Sequence, residues 1–242
     1  MSGPTDGVPA LVTMTFWGVR PAGVVPAVLR MGLDRRHLRG VPGLRFAKLL
    51  GTGDGRTFTA RDADPLHWGL LAVWADPSAA AAFTAGPTHR GWERLARERL
   101  HLELAPVSSR GSWSRRQPFG DPVPRRVDGP VAALTRARIR ARSPRAFWRA
   151  VPPVSADLHT VPGLRLAVGI GEAPLGLQGT FSLWEGTAPL VEFAHRRAAH
   201  TDVVGRTARE DWYAEELFAR FEVLDVRGTF GGAHPLTAGA AT

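Results

Sequence analysis

Apolar positions in this chain alternate over short runs, and the runs come in a regular order. Leu11 to Trp17 is β-branched and aromatic and predicts a strand, followed by a short helix from about Ala22 to Met31. A second strand is expected over Leu44 to Leu50, breaking at a tight glycine loop, Gly51 to Gly55, and a third over Trp68 to Trp74. Asp76-Pro77 supplies a cap and first-turn residue for a helix over Ser78 to Arg99, and Leu102 to Val107 predicts a closing strand. The pattern then starts again. Val131 to Arg138 predicts a strand, and Ser143-Pro144 opens a helix that Pro152-Pro153 ends. Strands follow at Leu164 to Ile170 and Gly179 to Trp184. From about Pro189 to Phe221, Trp212, Leu217, Phe218 and Phe221 fall at helical spacing, with Arg206, Arg209, Glu210 and Arg220 left for solvent. Phe221 to Val226 is the expected last strand.

The two halves also match residue by residue. His37 to Ala47 returns as Asp157 to Ala167, both centred on Val-Pro-Gly-Leu-Arg. Each copy leads to a strand ending in Trp, Trp74 or Trp184, then to Phe83 or Phe193 and a nearby His, His89 or His200. Arg110-Gly111-Ser112-Trp113 closes the first copy and Arg227-Gly228-Thr229-Phe230 the second. This is an internal duplication of a domain-sized unit rather than a solenoid array. The order strand-helix-strand-strand-helix-strand is the ferredoxin-like βαββαβ unit. One such sheet leaves an apolar face bare, so the expected architecture is α+β: two fused ferredoxin-like repeats forming a pseudo-dimeric α+β barrel. Residues 10–114 form the first repeat, 115–129 a linker and 130–232 the second repeat. A flat cofactor would fit in the interior, between the sheets or between sheet and helices.

Composition removes several chemistries. With no cysteine among 242 residues, disulfides, iron–sulfur clusters, thiolate-ligated haem and cysteine nucleophiles are excluded. No run has the roughly 18 apolar residues of a membrane helix, and Met1 to Pro9 lacks the order of a signal peptide, so a cytoplasmic location without an integral span is expected. The formal charge is +9, with the most basic stretch, Arg110 to Arg126, falling in the proline-bearing connection, and it reads as a solvated basic surface. Lys48 is the only lysine against that arginine background, which suits either a narrow pocket that takes an ammonium or a surface strand.

None of the eight histidines shows HExxH spacing, and no Gly-x-Ser-x-Gly elbow occurs, so neither a hydrolytic zinc site nor a serine triad is indicated. His195 and His200 sit five apart, about 140° around a helix, and do not converge on one metal. His200, beside Phe193 and Ala199, is either a proximal ligand for haem iron or a half-buried histidine bonded to a carbonyl. Trp68 and Trp74 could stack bases, but no RNA-recognition strand motif accompanies them, and nucleic acid is not an expected partner.

Three blocks carry a family resemblance: Phe46 to Gly53; Gly169 to Pro174 with Gln178 to Trp184; and Ala199 to Val204 with Thr207 to Phe221. From about Thr13 to Gly231 the chain resembles the spheroidene monooxygenase family, which is associated with haem and with oxygenation of carotenoids and sits in the wider dimeric α+β barrel group. The resemblance implies one haem b per chain, with His200 as the iron ligand and Phe193 and Trp184 beside the cofactor. It makes Lys48, Arg45 and Gln178 pocket or propionate-contact candidates in a catalytic role. The implied activity is oxygenation of a hydrophobic, carotenoid-like substrate. Three alternatives stay open: a haem-dependent tailoring step on an N–O group such as an oxime or hydroxylamine, a non-catalytic haem-binding protein, and a cofactor-free barrel oxygenase. An external electron donor and homo-oligomerisation also stay open. His200 is preferred to His195 and His89 as ligand, with Tyr213, the only tyrosine, next in line.

Overall fold

A computed structural model of the chain describes residues 7–53, 62–139, 161–172, 179–194 and 213–237. Among these, the strands are β1 (Leu11–Val19), β2 (Leu44–Gly53), β3 (Ala63–Trp74), β4 (Ala96–Gly111), β5 (Val131–Ile139), β6 (Leu164–Gly171), β7 (Gly179–Trp184) and β8 (Tyr213–Gly228). They close into an antiparallel barrel in the order β1-β3-β2-β6-β7-β5-β8-β4. Each half contributes the same run, β4-β1-β3-β2 and β8-β5-β7-β6. The halves join along a long seam, β4 with β8 from Leu100↔Gly228 to Gly111↔Leu217, and a short one, β2 with β6 from Gly51↔Gly171 to Gly53↔Gly169. Among the described residues, the short seam pairs three residues of each strand, so Leu44 to Leu50 of β2 and Leu164 to Val168 of β6 have a strand partner on one side only.

Alternation decides which side chains point inward. Val12, Met14, Phe16, Phe46, Leu50, Leu71, Val73, Leu100, Leu102 and Leu104 of the first half meet Ala132, Leu134, Val168, Ile170, Phe181, Leu183, Leu217, Ala219 and Phe221 of the second in one buried cluster. The lumen is filled by these side chains. The cofactor position expected between the two sheets is therefore closed.

Helices α1 (Val24–Leu38), α2 (Pro77–Thr84) and α3 (Pro87–Glu93) cover the outer face of β1, β3 and β2. The helix expected over Ser78 to Arg99 is thus two short ones. Asp76 caps α2 as anticipated, its carboxylate accepting from the Ala79 amide at 2.9 Å. Gly86 then adopts an extended conformation and Pro87 opens α3, because proline has no amide to continue the first helix. Beneath these helices Trp17, Trp68, Trp74 and Trp92 are buried with Leu49, Leu70 and Phe83. Trp17 stacks on Trp92 at 5.4 Å. Trp68 and Trp74 are accordingly core residues.

Two other expectations change. The helical tract reaching Phe221 does not hold over its last part, because β8 begins at Tyr213. Leu217, Ala219 and Phe221 alternate inward while Phe218 stays exposed, a period of two that helical spacing had masked. Gly51 to Gly53 belongs to β2 rather than to a loop, and forms the short seam with β6. Residues 54–61, with the rest of that expected loop, lie outside the described residues. The connection after β4 contributes Trp113, Phe119 and Val127 as buried residues.

Candidate functional site

Matching Trp74 with Trp184 pairs the outer faces of the two halves position by position. Leu11 lies opposite Trp74 and Val131 opposite Trp184, so Trp17 corresponds to Ala137. Leu49 faces Leu70 in the first half, and Gly169 faces Thr180 in the second. Three bulky side chains of the first half, Trp17, Leu49 and Leu70, are therefore replaced by Ala137, Gly169 and Thr180. With Ala133, Thr135, Ala167 and Ser182 on the same face, the second sheet presents a flat shelf of small residues. Gly179 borders it where β5 approaches closely: a Cβ there would come within 2.3 Å of the Thr135 carbonyl oxygen.

Trp184 and Phe193 close one end of this shelf. Their rings are 5.5 Å apart, and the Trp184 indole donates to Ser182 Oγ at 2.9 Å. The pair repeats Trp74 and Phe83, which lie 5.2 Å apart in the first half, where Trp74 donates to Thr13. In each half the pair seats the helix that follows the Trp strand. In the second half that helix is described over residues 187–194. His200 and His195, six and one residues beyond it, and Gln178, one residue before β7, lie outside the described residues, as does the expected helix from Ser143. Tyr213 is the first residue of β8.

Lys48 points the other way, into the barrel. Phe46 and Leu50, which share its face of β2, belong to the lumen cluster. Its ammonium donates to Glu172 Oε2 and to Ser114 Oγ, each at 2.6 Å, and lies 5.5 Å from the Phe46 ring centre. Glu172 Oε1 accepts from the Trp113 indole at 2.7 Å and from Arg136 at 3.1 Å. Arg136, with its side chain only 4% exposed, also donates to Glu215 at 2.8 Å and lies 5.1 Å over the Trp113 ring. These charges plug one mouth of the barrel. Burial alone would raise the Glu172 pKa, but hydrogen bonds from Lys48 and Trp113 outweigh it and hold the carboxyl below its ordinary range. Glu215 is also held low, burial being outweighed by the amides of Arg115 and Ser114 and by Arg136. Lys48 and the Trp184–Phe193 pair thus occupy opposite faces of the barrel wall. Arg45, two residues after the turn at Gly43, is exposed at the start of β2, and its carbonyl accepts from Arg116.

The other mouth has a different plug. His67 Nδ1 meets Asp64 at 2.5 Å, its Nε2 meets Glu98 at 3.1 Å, and its ring stacks on Phe230 at 4.5 Å. Burial would lower the His67 pKa, but hydrogen bonds to Asp64 and Glu98 reverse this and raise it. Among the described residues no group of three His, Asp or Glu side chains is arranged to hold a metal ion.

Comparison with known proteins decides the family. No family profile matches the chain. A spheroidene monooxygenase of Rhodobacter capsulatus is 37% identical over 215 residues, spanning 86% of this chain and 88% of that protein. A second, from Rubrivivax gelatinosus, is 40% identical over 195 residues, 80% of this chain and 74% of the relative. The chain belongs to the spheroidene monooxygenase family. It is an enzyme of the monooxygenase type, an oxidoreductase. A third family member, from Cereibacter sphaeroides, is 31% identical over 209 residues. Among solved structures, an aldoxime dehydratase superposes with a TM-score of 0.59 at 12% identity, covering 97% of this chain and 88% of that one. Another, in complex with butyraldoxime, gives 0.53 at 15% identity, with 97% and 86% covered. At such identities the likeness shows the fold, an α+β barrel of ferredoxin-like type.

Within this family frame, two features escape reading along the sequence. Small residues such as Ala137, Gly169 and Thr180 carry no signal singly; they stand out only when the halves are superposed strand by strand. Arg136 and Glu215 come from β5 and β8 and Glu172 from the residue after β6, 124 residues from Lys48, and no local motif links them.

Proposed function

We propose that this family member is a haem-dependent monooxygenase acting on a hydrophobic, carotenoid-like substrate, with one haem b per chain on the outer face of β5, β7 and β6. The observation that carries the placement is the exchange of Trp17, Leu49 and Leu70 for Ala137, Gly169 and Thr180. That exchange clears a surface of small side chains on one half of a barrel whose other half is packed solid, and a tetrapyrrole is a flat group. Bound there, haem supplies oxygen activation. His200, six residues beyond the helix that Trp184 and Phe193 seat, is the proposed iron ligand. Gln178, adjoining β7, and Arg45, at the exposed start of β2, are proposed to contact substrate or propionates. Lys48 is a positioning residue in this reading, fixing Glu172 at the end of β6 and with it the start of the connection that carries Gln178. Insertion of one oxygen atom, with the other leaving as water, takes two electrons and two protons from an external donor. The duplication proposed from the sequence accounts for the equal strand order of the halves.

The barrel shared with aldoxime dehydratases favours a second reading, dehydration of an N–O group, which needs no net electrons. Sequence kinship places oxygenation first. The test is to load the purified full chain with haem and record its spectrum in the ferric and ferrous states. Thr180→Leu and Ala137→Trp should each prevent haem uptake with unchanged thermal stability. His200→Ala should abolish the native Soret band or leave one restored by imidazole. Incubation of the loaded protein with a carotenoid and a reductant should add oxygen mass. Loss of water from an aldoxime would favour the second reading, and haem uptake without turnover of either would make the protein a carrier. Unaltered haem binding in all three variants would overturn the placement.

A further inference from the structure

Helix α1 has its polarity partly inverted. Its only acidic residue, Asp34, is buried, held at 3.2 Å by both Arg30 and His37. Arg30 in turn lies across Gly91 of α3, where a Cβ would come within 2.1 Å of the guanidinium. The inward face is completed by Ala27, Met31 and Leu38. The opposite face is apolar and open: Val25 is 69% exposed, Leu29 and Leu33 each 61%, and Val28 39%. Val25, Leu29 and Leu33 follow one another at i, i+4 and i+8 and form a single line along the helix. A Cβ added at Gly32, beside that line, would meet nothing within 4 Å.

The charges on this face of the helix have one sign. Arg36 continues the line, about 20° from Val25 in projection, and Arg39, one residue past the helix, is exposed, whereas the Arg35 guanidinium is turned to the Glu172 carbonyl oxygen. No exposed carboxylate lies on α1. We propose that the outward face of α1 docks on the surface of a bilayer that carries anionic lipids, its apolar line entering the headgroup boundary and its arginines meeting the phosphates. An apolar line flanked by arginines is the pattern of a helix lying in the interface plane. A second copy of this chain fits less well, since a two-fold contact along α1 would bring the two arginine sets together.

The face is testable without knowledge of the substrate. Full-length protein should sediment with phosphatidylcholine vesicles containing phosphatidylglycerol and remain in the supernatant with phosphatidylcholine alone or at high salt. Leu29→Gln with Leu33→Gln should weaken the partition at least tenfold. Arg36→Gln and Arg39→Gln should each weaken it about fivefold. All four side chains are exposed, so thermal stability should not change. Binding of the leucine variant equal to wild type would overturn the proposal, as would absence of wild-type binding to the anionic vesicles. A dimer in sedimentation equilibrium that the leucine variant dissociates, without vesicle binding, would assign the face to a second copy instead.

Discussion

The two mouths of the barrel share one backbone device and differ in what it holds. Each is covered by the turn that follows the Arg-Gly motif closing its half. Gly111 and Gly228 have φ of +96° and +90°, and a Cβ would come within 2.1 Å of the Glu216 carbonyl oxygen or 1.9 Å of that of Arg99. Those carbonyls accept from the amides of Ser112 and Thr229. Glu215 then receives the Ser112 hydroxyl and the Arg115 amide, as Glu98 receives the Thr229 hydroxyl and the Gly232 amide. Inside the turn the likeness ends. Phe230 packs edge-on against Phe16 at 5.5 Å, whereas Trp113 lies under Arg136, which stands where Phe16 stands in the other half. A ring contact needs no charge, but a buried guanidinium needs its carboxylates, and Glu172 and Glu215 supply them. Conserving the turn while exchanging its filling shows that closure of the barrel and the electrostatics of each mouth are separable.

The largest effect should come from removing the filling of the charged mouth. Arg136→Leu leaves Glu215, nearly buried, without its cation, while Glu172 keeps Lys48, and should destabilise by about 4 kcal/mol. Adding Glu215→Gln should restore much of that loss. Chemical denaturation of the single and double variants checks this, and a double variant no more stable than Arg136→Leu would mean that packing over Trp113, rather than charge, holds the mouth.

The shared device should fail equally at both mouths. Gly111→Ala and Gly228→Ala each put a methyl group into a backbone carbonyl from a left-handed conformation, at about 3 kcal/mol apiece. A marked difference between their denaturation midpoints would show that one turn yields where the other does not, and would end the equivalence.

Much of the barrel was legible because strands announce themselves locally. Gly179 to Trp184 was bounded as found, since its glycine and Trp lie at its ends, and Asp76-Pro77 marked the α2 start through a cap that acts within one turn. β8 was misread over Tyr213 to Phe221: the outward Phe218 adds an apolar residue off the alternating face, and a period near four then fits as well as two. Lys48 stood out as the only lysine, yet its role in the charged mouth depends on Glu172 and Arg136, which only barrel closure brings to it. The shelf was illegible for the converse reason, since it is made by residues that are smaller than their counterparts.

The smallest effect is a pH dependence confined to one mouth. Burial lowers the affinity of His67 for a proton, but Asp64 and Glu98 more than compensate, so its folded pKa lies above the ordinary value of 6.5. A group whose pKa is raised on folding stabilises fully below its unfolded pKa, and that contribution disappears as pH rises through the folded value. Stability should therefore decline as pH is raised above about 6.5, and His67→Gln should remove the decline. The charged mouth offers no such loss there, because its carboxylates are held low and shed their contribution only on acidification. His101 is kept apart by its direction: burial, aided by Arg99, depresses it from 6.5 to about 4, so its cost to the fold falls on the acid side of 6.5. Thermal melts from neutral to mildly alkaline pH thus report on His67 alone among these groups. Equal slopes for wild type and His67→Gln across that range would show that the Asp64–His67–Glu98 contact does not hold its proton in solution.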